Sequence, residues 1–168
     1  MKPISKLEVE VEDVQTEILM QSFSDRVFIL VTQLGKVGCL IQAAIPQSVQ
    51  LSHPPASTST STGSDGHEPE NEQHNLLIPT PPPSIALTPL FGQPPSPKLH
   101  TYYSLLASQL STLVWFSEEA GGSVSHRRPV IVGIALKRRE GDDTLDESPG
   151  NDRDGNNGIV NAVQSLLN

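Results

Sequence analysis

The chain has 168 residues, 36% of them hydrophobic, which bounds it to about one domain with a core of moderate size. Its formal charge of −8 is concentrated: Asp65, Glu68, Glu70 and Glu72 give segment 52–84 a net of −4, seven acids against Arg139 and Arg153 give segment 139–157 a net of −5, and the rest nets +1. A near-neutral folded part lacks the clustered basic face that nucleic-acid phosphates require, and a lone cysteine, Cys39, excludes an internal disulfide framework and a cysteine-rich metal site.

At the N-terminus Leu7-Glu8-Val9-Glu10-Val11-Glu12 alternates apolar and acidic residues, which fits a half-exposed or edge strand, or an arm without structure. No apolar run resembles a signal peptide and no 18-residue apolar stretch occurs, so the expectation is a soluble protein of a reducing compartment, cytoplasmic or also nuclear, with no membrane partner. Thr16 to Ile45 is rich in β-branched and aliphatic residues and is broken at Ser24-Asp25 and at Gly35-Lys36-Val37-Gly38, which predicts strands at about 16–23, 26–34 and 38–45. The second of these is apolar on both faces, as a central strand covered by the core on one side and by a helix or a partner on the other would be. The glycines at 35 and 38 predict a hairpin turn with positive φ; the GxxG loop of a KH domain would need helices on both sides.

Segment 52–84 is Ser/Thr-rich, then acidic, then Pro-rich, with too few apolar side chains to offset the entropy of ordering it, and it is read as a disordered insert. Residues 85–90 form a short fourth strand that Pro89 confines to an edge or a strand end. Ser96-Pro97 is a hydroxyl N-cap followed by proline at the first helical position. From it Leu99, Tyr102, Tyr103, Leu106, Leu110, Leu113 and Val114 make one stripe, and Gly121-Gly122 supplies a stop, so a helix spans 97–119. Leu105, Trp115 and Phe116 lie partly off the stripe, which means either that the helix is buried on two sides or that a second protein covers the remainder. Residues 129–136 are a buried-type strand, and segment 139–157 is a second, acidic insert. Ile159, Val160, Val163, Leu166 and Leu167 predict a short amphipathic helix capped by Asn156 or Asn157. The whole chain, 1–168, is a single domain of α+β class: an antiparallel β-sheet or sandwich packed with one long and one short C-terminal α-helix.

Chemistry is sparse. Neither GxGxxG nor GxxxxGK[ST] is present, GxSxG is absent, and His53, His67, His74, His100 and His126 show no HxxxH spacing. Cys39 reads as a small apolar strand residue. Glu118 and Glu119 point about 100° apart on a helix and read as a solvated helix end. The clusters His126-Arg127-Arg128 and Lys137-Arg138-Arg139 read as solvated loop charges. No catalytic residue, metal ligand or cofactor is expected, and the protein is not read as an enzyme. Pro79-Thr80-Pro81-Pro82-Pro83 and Pro94-Pro95-Ser96-Pro97 fit PxxP, and Thr80-Pro81, Thr88-Pro89, Ser96-Pro97 and Ser148-Pro149 are candidate proline-directed phosphorylation pairs.

Phe28-Ile29-Leu30-Val31-Thr32-Gln33-Leu34-Gly35-Lys36-Val37-Gly38 resembles the proteasome assembly chaperone 3 family, in which an apolar strand runs into a T-Q-F-G-K-M-G-type turn. Leu113 to Gly121, followed by Val130 to Lys137, is similar to that family's helix end, S-Q-E-A-G turn and last strand. The resemblance covers about 16–45 and 85–137, with the C-terminal helix loosely matched, while the inserts depart from compact members and mark a fungal-type one. It implies a non-catalytic chaperone that dimerises, with itself or with partner assembly chaperone 4, and holds α-type subunits of the 20S proteasome while the α-ring forms. The candidate contact residues are Gln33, Gly35 and Lys36 in the turn and the off-stripe Trp115 and Phe116. The alternative is an interaction adaptor working through its PxxP segments.

Overall fold

The computed structural model describes residues 4–51, 79–122, 127–137 and 151–167. Of the two expected inserts, 52–78 and 139–150 lie outside these residues, as do His53, His67, His74, His126, Arg138, Arg139 and Ser148-Pro149.

The alternating N-terminal segment is strand β1 (Ser5–Val11), paired antiparallel with β2 (Val14–Ser22) from Ser5↔Met20 to Val11↔Val14. Glu12 and Asp13 close this hairpin with φ of 51° and 61°, the left-handed pair that a two-residue type I′ turn demands. Strands β3 (Val27–Thr32), β4 (Cys39–Ala44), β5 (Ala86–Phe91) and β6 (Val130–Ala135) complete one six-stranded sheet of order β1-β2-β3-β6-β4-β5. Every pairing is antiparallel except β3 with β6, so the sheet is mixed at its centre.

That order corrects the expected hairpin at Gly35–Gly38. Strand β6, apolar on both faces like β3, inserts between β3 and β4, and the chain turns across the end of an occupied slot. The positive φ values at Gly35 and Gly38, 62° and 67°, are as the turn reading required. Pro89 lies in β5, the outermost strand, where its missing N–H is tolerated.

Helix α1 (Pro97–Ala120) starts as the cap predicts: the Ser96 hydroxyl accepts a hydrogen bond from the Leu99 amide at 3.3 Å. It stops at Gly121 and Gly122, whose amides donate to Ser117 O and Glu119 O. Helix α2 (Asn151–Leu167) begins eight residues before the apolar pattern does. Asn156 is therefore no cap; it is 7% exposed, and its Nδ2 donates to Gln109 Oε1 of α1 at 2.6 Å. The helix lies close against the β1–β2 hairpin here: a Cβ at Gly155 would come 2.8 Å from Glu12 Cδ, the flexible end of that side chain, and one at Gly158 would make ordinary contact with the Val11 methyls at 3.4 Å.

Both helices pack on the same side of the sheet. The core between them gathers Ile18, Ile29, Val31, Ile41, Val132 and Ile134 from the sheet with Leu106, Leu110, Val114, Trp115, Ile159 and Val163 from the helices. Period-2 alternation sends the intervening residues of each strand to the opposite side.

Candidate docking face

The side of the sheet away from the helices is covered by no described element, and its central strands are apolar there. One cross-strand row runs Lys6, Leu19, Leu30, Gly133, Leu40 and Phe91; the next runs Gln21, Phe28, Ile131, Gln42 and Thr88. Leu19, Phe28, Leu30, Leu40 and Ile131 are half-buried and Phe91 is 67% exposed. Gly133 lets the leucines close into one surface, since a Cβ there would stand 2.9 Å from Leu30 Cδ1 and 3.2 Å from Leu40 Cδ2. Charge appears at one margin: Lys6 Nζ lies 2.8 Å from Glu8 Oε1 and 3.5 Å from Glu17 Oε1. The hydrogen bond and charge of Lys6 hold the Glu8 carboxyl below the usual glutamate range, and Glu8 and Glu17 together raise the Lys6 ammonium. An apolar centre with a charged rim is the composition of a protein interface.

A second surface lies at the end of the sheet where β3 leaves it. Thr32 Oγ1 accepts from the amides of Leu34 and Lys36, both at 3.2 Å, and fixes the turn so that Leu34 and Val37 stand 44% and 42% exposed beside Gly35 and Lys36. Next to it opens a cleft of about 450 Å³, with Leu99, Tyr102, Leu105, Leu136 and Ile159 among its lining residues; Leu105 is 49% exposed.

The expected contact residues divide on this geometry. Gly35 and Lys36 are exposed. Gln33 is tied into the fold: its Nε2 donates to Thr16 Oγ1 and its Oε1 accepts from the Lys137 amide, each at 3.0 Å, which joins β2 to the end of β6. Trp115 is a correction. It has no exposed surface, and its indole N–H donates to Arg128 O at 2.9 Å, so it belongs to the core and cannot touch a partner. Phe116 is half-buried against the same core. The run from Leu110 to Trp115 is wholly buried, so the second half of α1 is covered on two sides from within the chain.

Glu118 and Glu119 are not a solvated pair either. Arg128 Nε donates to Glu118 at 2.9 Å and Arg127 Nε to Glu119 at 3.1 Å, and Arg127 also reaches Pro46 O and Val49 O. These pairs lock the end of α1 to the entry of β6. Burial raises the Cys39 thiol pKa, which disfavours the thiolate. Both PxxP stretches are built into the structure: Pro79 is buried, Pro82 O accepts from the Ile85 amide, and Ser96-Pro97 starts α1. Among the described residues, no group of three or more His, Cys, Asp or Glu could hold a metal, and no helix is long and apolar enough to cross a membrane.

No protein-family model and no curated protein matches the sequence. Among solved structures, a chain from a novel chaperone complex for yeast 20S proteasome assembly aligns with a TM-score of 0.52, over 99% of this chain and 100% of that one, at 6% identity. The two chains share a fold. At that identity the likeness concerns architecture, and the face itself must be read from this chain's own residues. The signal for it was present in β3, whose second apolar set, Phe28 and Leu30, is the one that no helix covers.

Proposed function

We propose that this protein is a non-catalytic chaperone of 20S proteasome assembly. In this reading the open face docks onto a second sheet of the same fold, in another copy of the chain or in partner assembly chaperone 4, and the pair holds α-type subunits while the α-ring forms. The observation that carries it is the uncovered apolar centre of the sheet, Leu19, Phe28, Leu30, Leu40 and Ile131. A flat apolar sheet face is best matched by another, about 10 Å away, which turns two open sheets into one closed sandwich. A standard stable contact needs about 800 Å² from each partner. Lys6, Glu8 and Glu17 then sit at the rim, where charge sets register. The fold shared with a chain of an assembly-chaperone complex, and the residue resemblance at 28–38 and 113–121, support the same reading.

The turn end, with Leu34, Gly35, Lys36 and Val37 exposed, is the proposed contact for the α-type subunit, because it stays accessible when the sheet faces are joined. The chaperone acts in the cytoplasm and nucleus, where its cargo is made and used. The test is affinity capture with the tagged full chain, α-type subunits being identified by mass spectrometry. Wild type is expected to retain them. Leu34→Ser with Val37→Ser is expected to lose most of that signal at an unchanged melting temperature, since both side chains are surface residues. Absence of α-type subunits from the wild-type capture contradicts the proposal.

A further inference from the structure

We infer that Thr88 is a phosphate-acceptor site whose modification opposes docking of a second copy at the open face; the inference rests on the docking reading above. Three Ser/Thr-Pro pairs fall among the described residues: Thr80-Pro81, Thr88-Pro89 and Ser96-Pro97. The Ser96 hydroxyl is engaged as the cap of α1. Thr80 is exposed in the loop before β5 and belongs to no strand. Thr88 is exposed as well, and pairing with Gln42 puts it on the open face, in the row of Gln42, Ile131 and Phe28. It lies on the outermost strand of the described sheet, already extended, with β4 as its one strand neighbour among the described residues. Thr88-Pro89 is thus presented along the free margin of the sheet, opposite the charged margin of Lys6 and Glu8.

The step is a transfer from a nucleoside triphosphate by a proline-directed protein kinase. The Thr88 Oγ1 to γ-phosphorus bond forms as the bond from that phosphorus to the β–γ bridging oxygen breaks. The hydroxyl proton goes to the kinase's base, and nucleoside diphosphate leaves. The product carries about −1.5 to −2 charges at neutral pH. Its row neighbours Gln42, Ile131 and Phe28 are uncharged, so a docking sheet would strip water from a dianion that its own row does not compensate. Docking would in turn cover Thr88 and slow its modification, because the kinase needs the hydroxyl exposed.

The experiment measures self-association of the full chain by sedimentation equilibrium for wild type, Thr88→Val, Thr88→Gln, Thr88→Glu and enzymatically phosphorylated wild type. A proline-directed kinase with ATP supplies the last, and peptide mass mapping locates the phosphate. Val and Gln variants are expected to dimerise within about twofold of wild type, and the Glu variant and the phosphoprotein at least about tenfold more weakly. Phosphorylation of wild type should slow as its concentration rises through the dimer range. Equal association of the Glu and Gln variants with an unaffected phosphoprotein overturns the inference alone, as does a kinase reaction that leaves Thr88 unmodified. A wild-type chain that stays monomeric overturns self-docking, and this inference with it.

Discussion

Gly35 and Gly38 have nearly the same backbone, φ of 62° and 67°, yet their surroundings differ. A Cβ at Gly35 would meet nothing within 4 Å, whereas one at Gly38 would stand 2.1 Å from the Ile134 carbonyl oxygen, a backbone atom of the inserted strand β6. Gly35→Ala is therefore expected to cost about 1–2 kcal/mol, the left-handed penalty alone. Gly38→Ala should cost at least about 3 kcal/mol, because β6 itself must shift. Urea unfolding of the two variants checks this, and equal losses would contradict the observed strand order. An aromatic off the helical stripe, such as Trp115, suits either a core or an interface, and the deciding fact, a hydrogen bond to Arg128 O thirteen residues on, has no local signature in the sequence.

Strand β1 presents Lys6, Glu8 and Glu10 along one margin of the sheet, a guard against edge pairing that β5 replaces with Pro89. The Glu8 carboxyl is lowered by Lys6, so its favourable contribution is present above the ordinary glutamate pKa and is lost as pH falls through the lowered one. Lys6→Met is expected to move the Glu8 titration back upward in an NMR pH series, and an unmoved Glu8 would place its cause elsewhere. At this scale α1 was legible almost to the residue, because Ser96, Pro97 and Gly121-Gly122 are local signals for a start and a stop. Five strands were legible as segments and β1 as one of two readings, but not their order: the insertion of β6 between β3 and β4 is a non-local pairing that neither strand's pattern encodes. The first two turns of α2 carry no helical signal, because Asn151–Gly158, with two glycines and three asparagines, has the composition of a loop. Glycine there costs about 1 kcal/mol of helix propensity per residue, offset by close packing on Val11 and Glu12. The candidate docking face was half legible, since the two-sided apolarity of β3 called for a cover on each side but could not say that both helices would choose the same one.

As a whole the molecule is a half-sandwich, with one face of its sheet sealed by two helices and the other left apolar among the described residues. Its inner face holds the core, and in the proposed reading its outer face docks, so stability and association should separate under mutation. Phe28→Gln with Ile131→Gln changes the open rows and leaves Ile29, Val132 and the helix contacts in place. The most direct measurement is sedimentation velocity of wild type and this double variant across a wide concentration range, with urea midpoints measured in parallel. A wild-type chain that shifts from monomer to dimer, beside a variant that stays monomeric at a comparable urea midpoint, is the predicted result. A variant that dimerises as wild type does would contradict docking through this face.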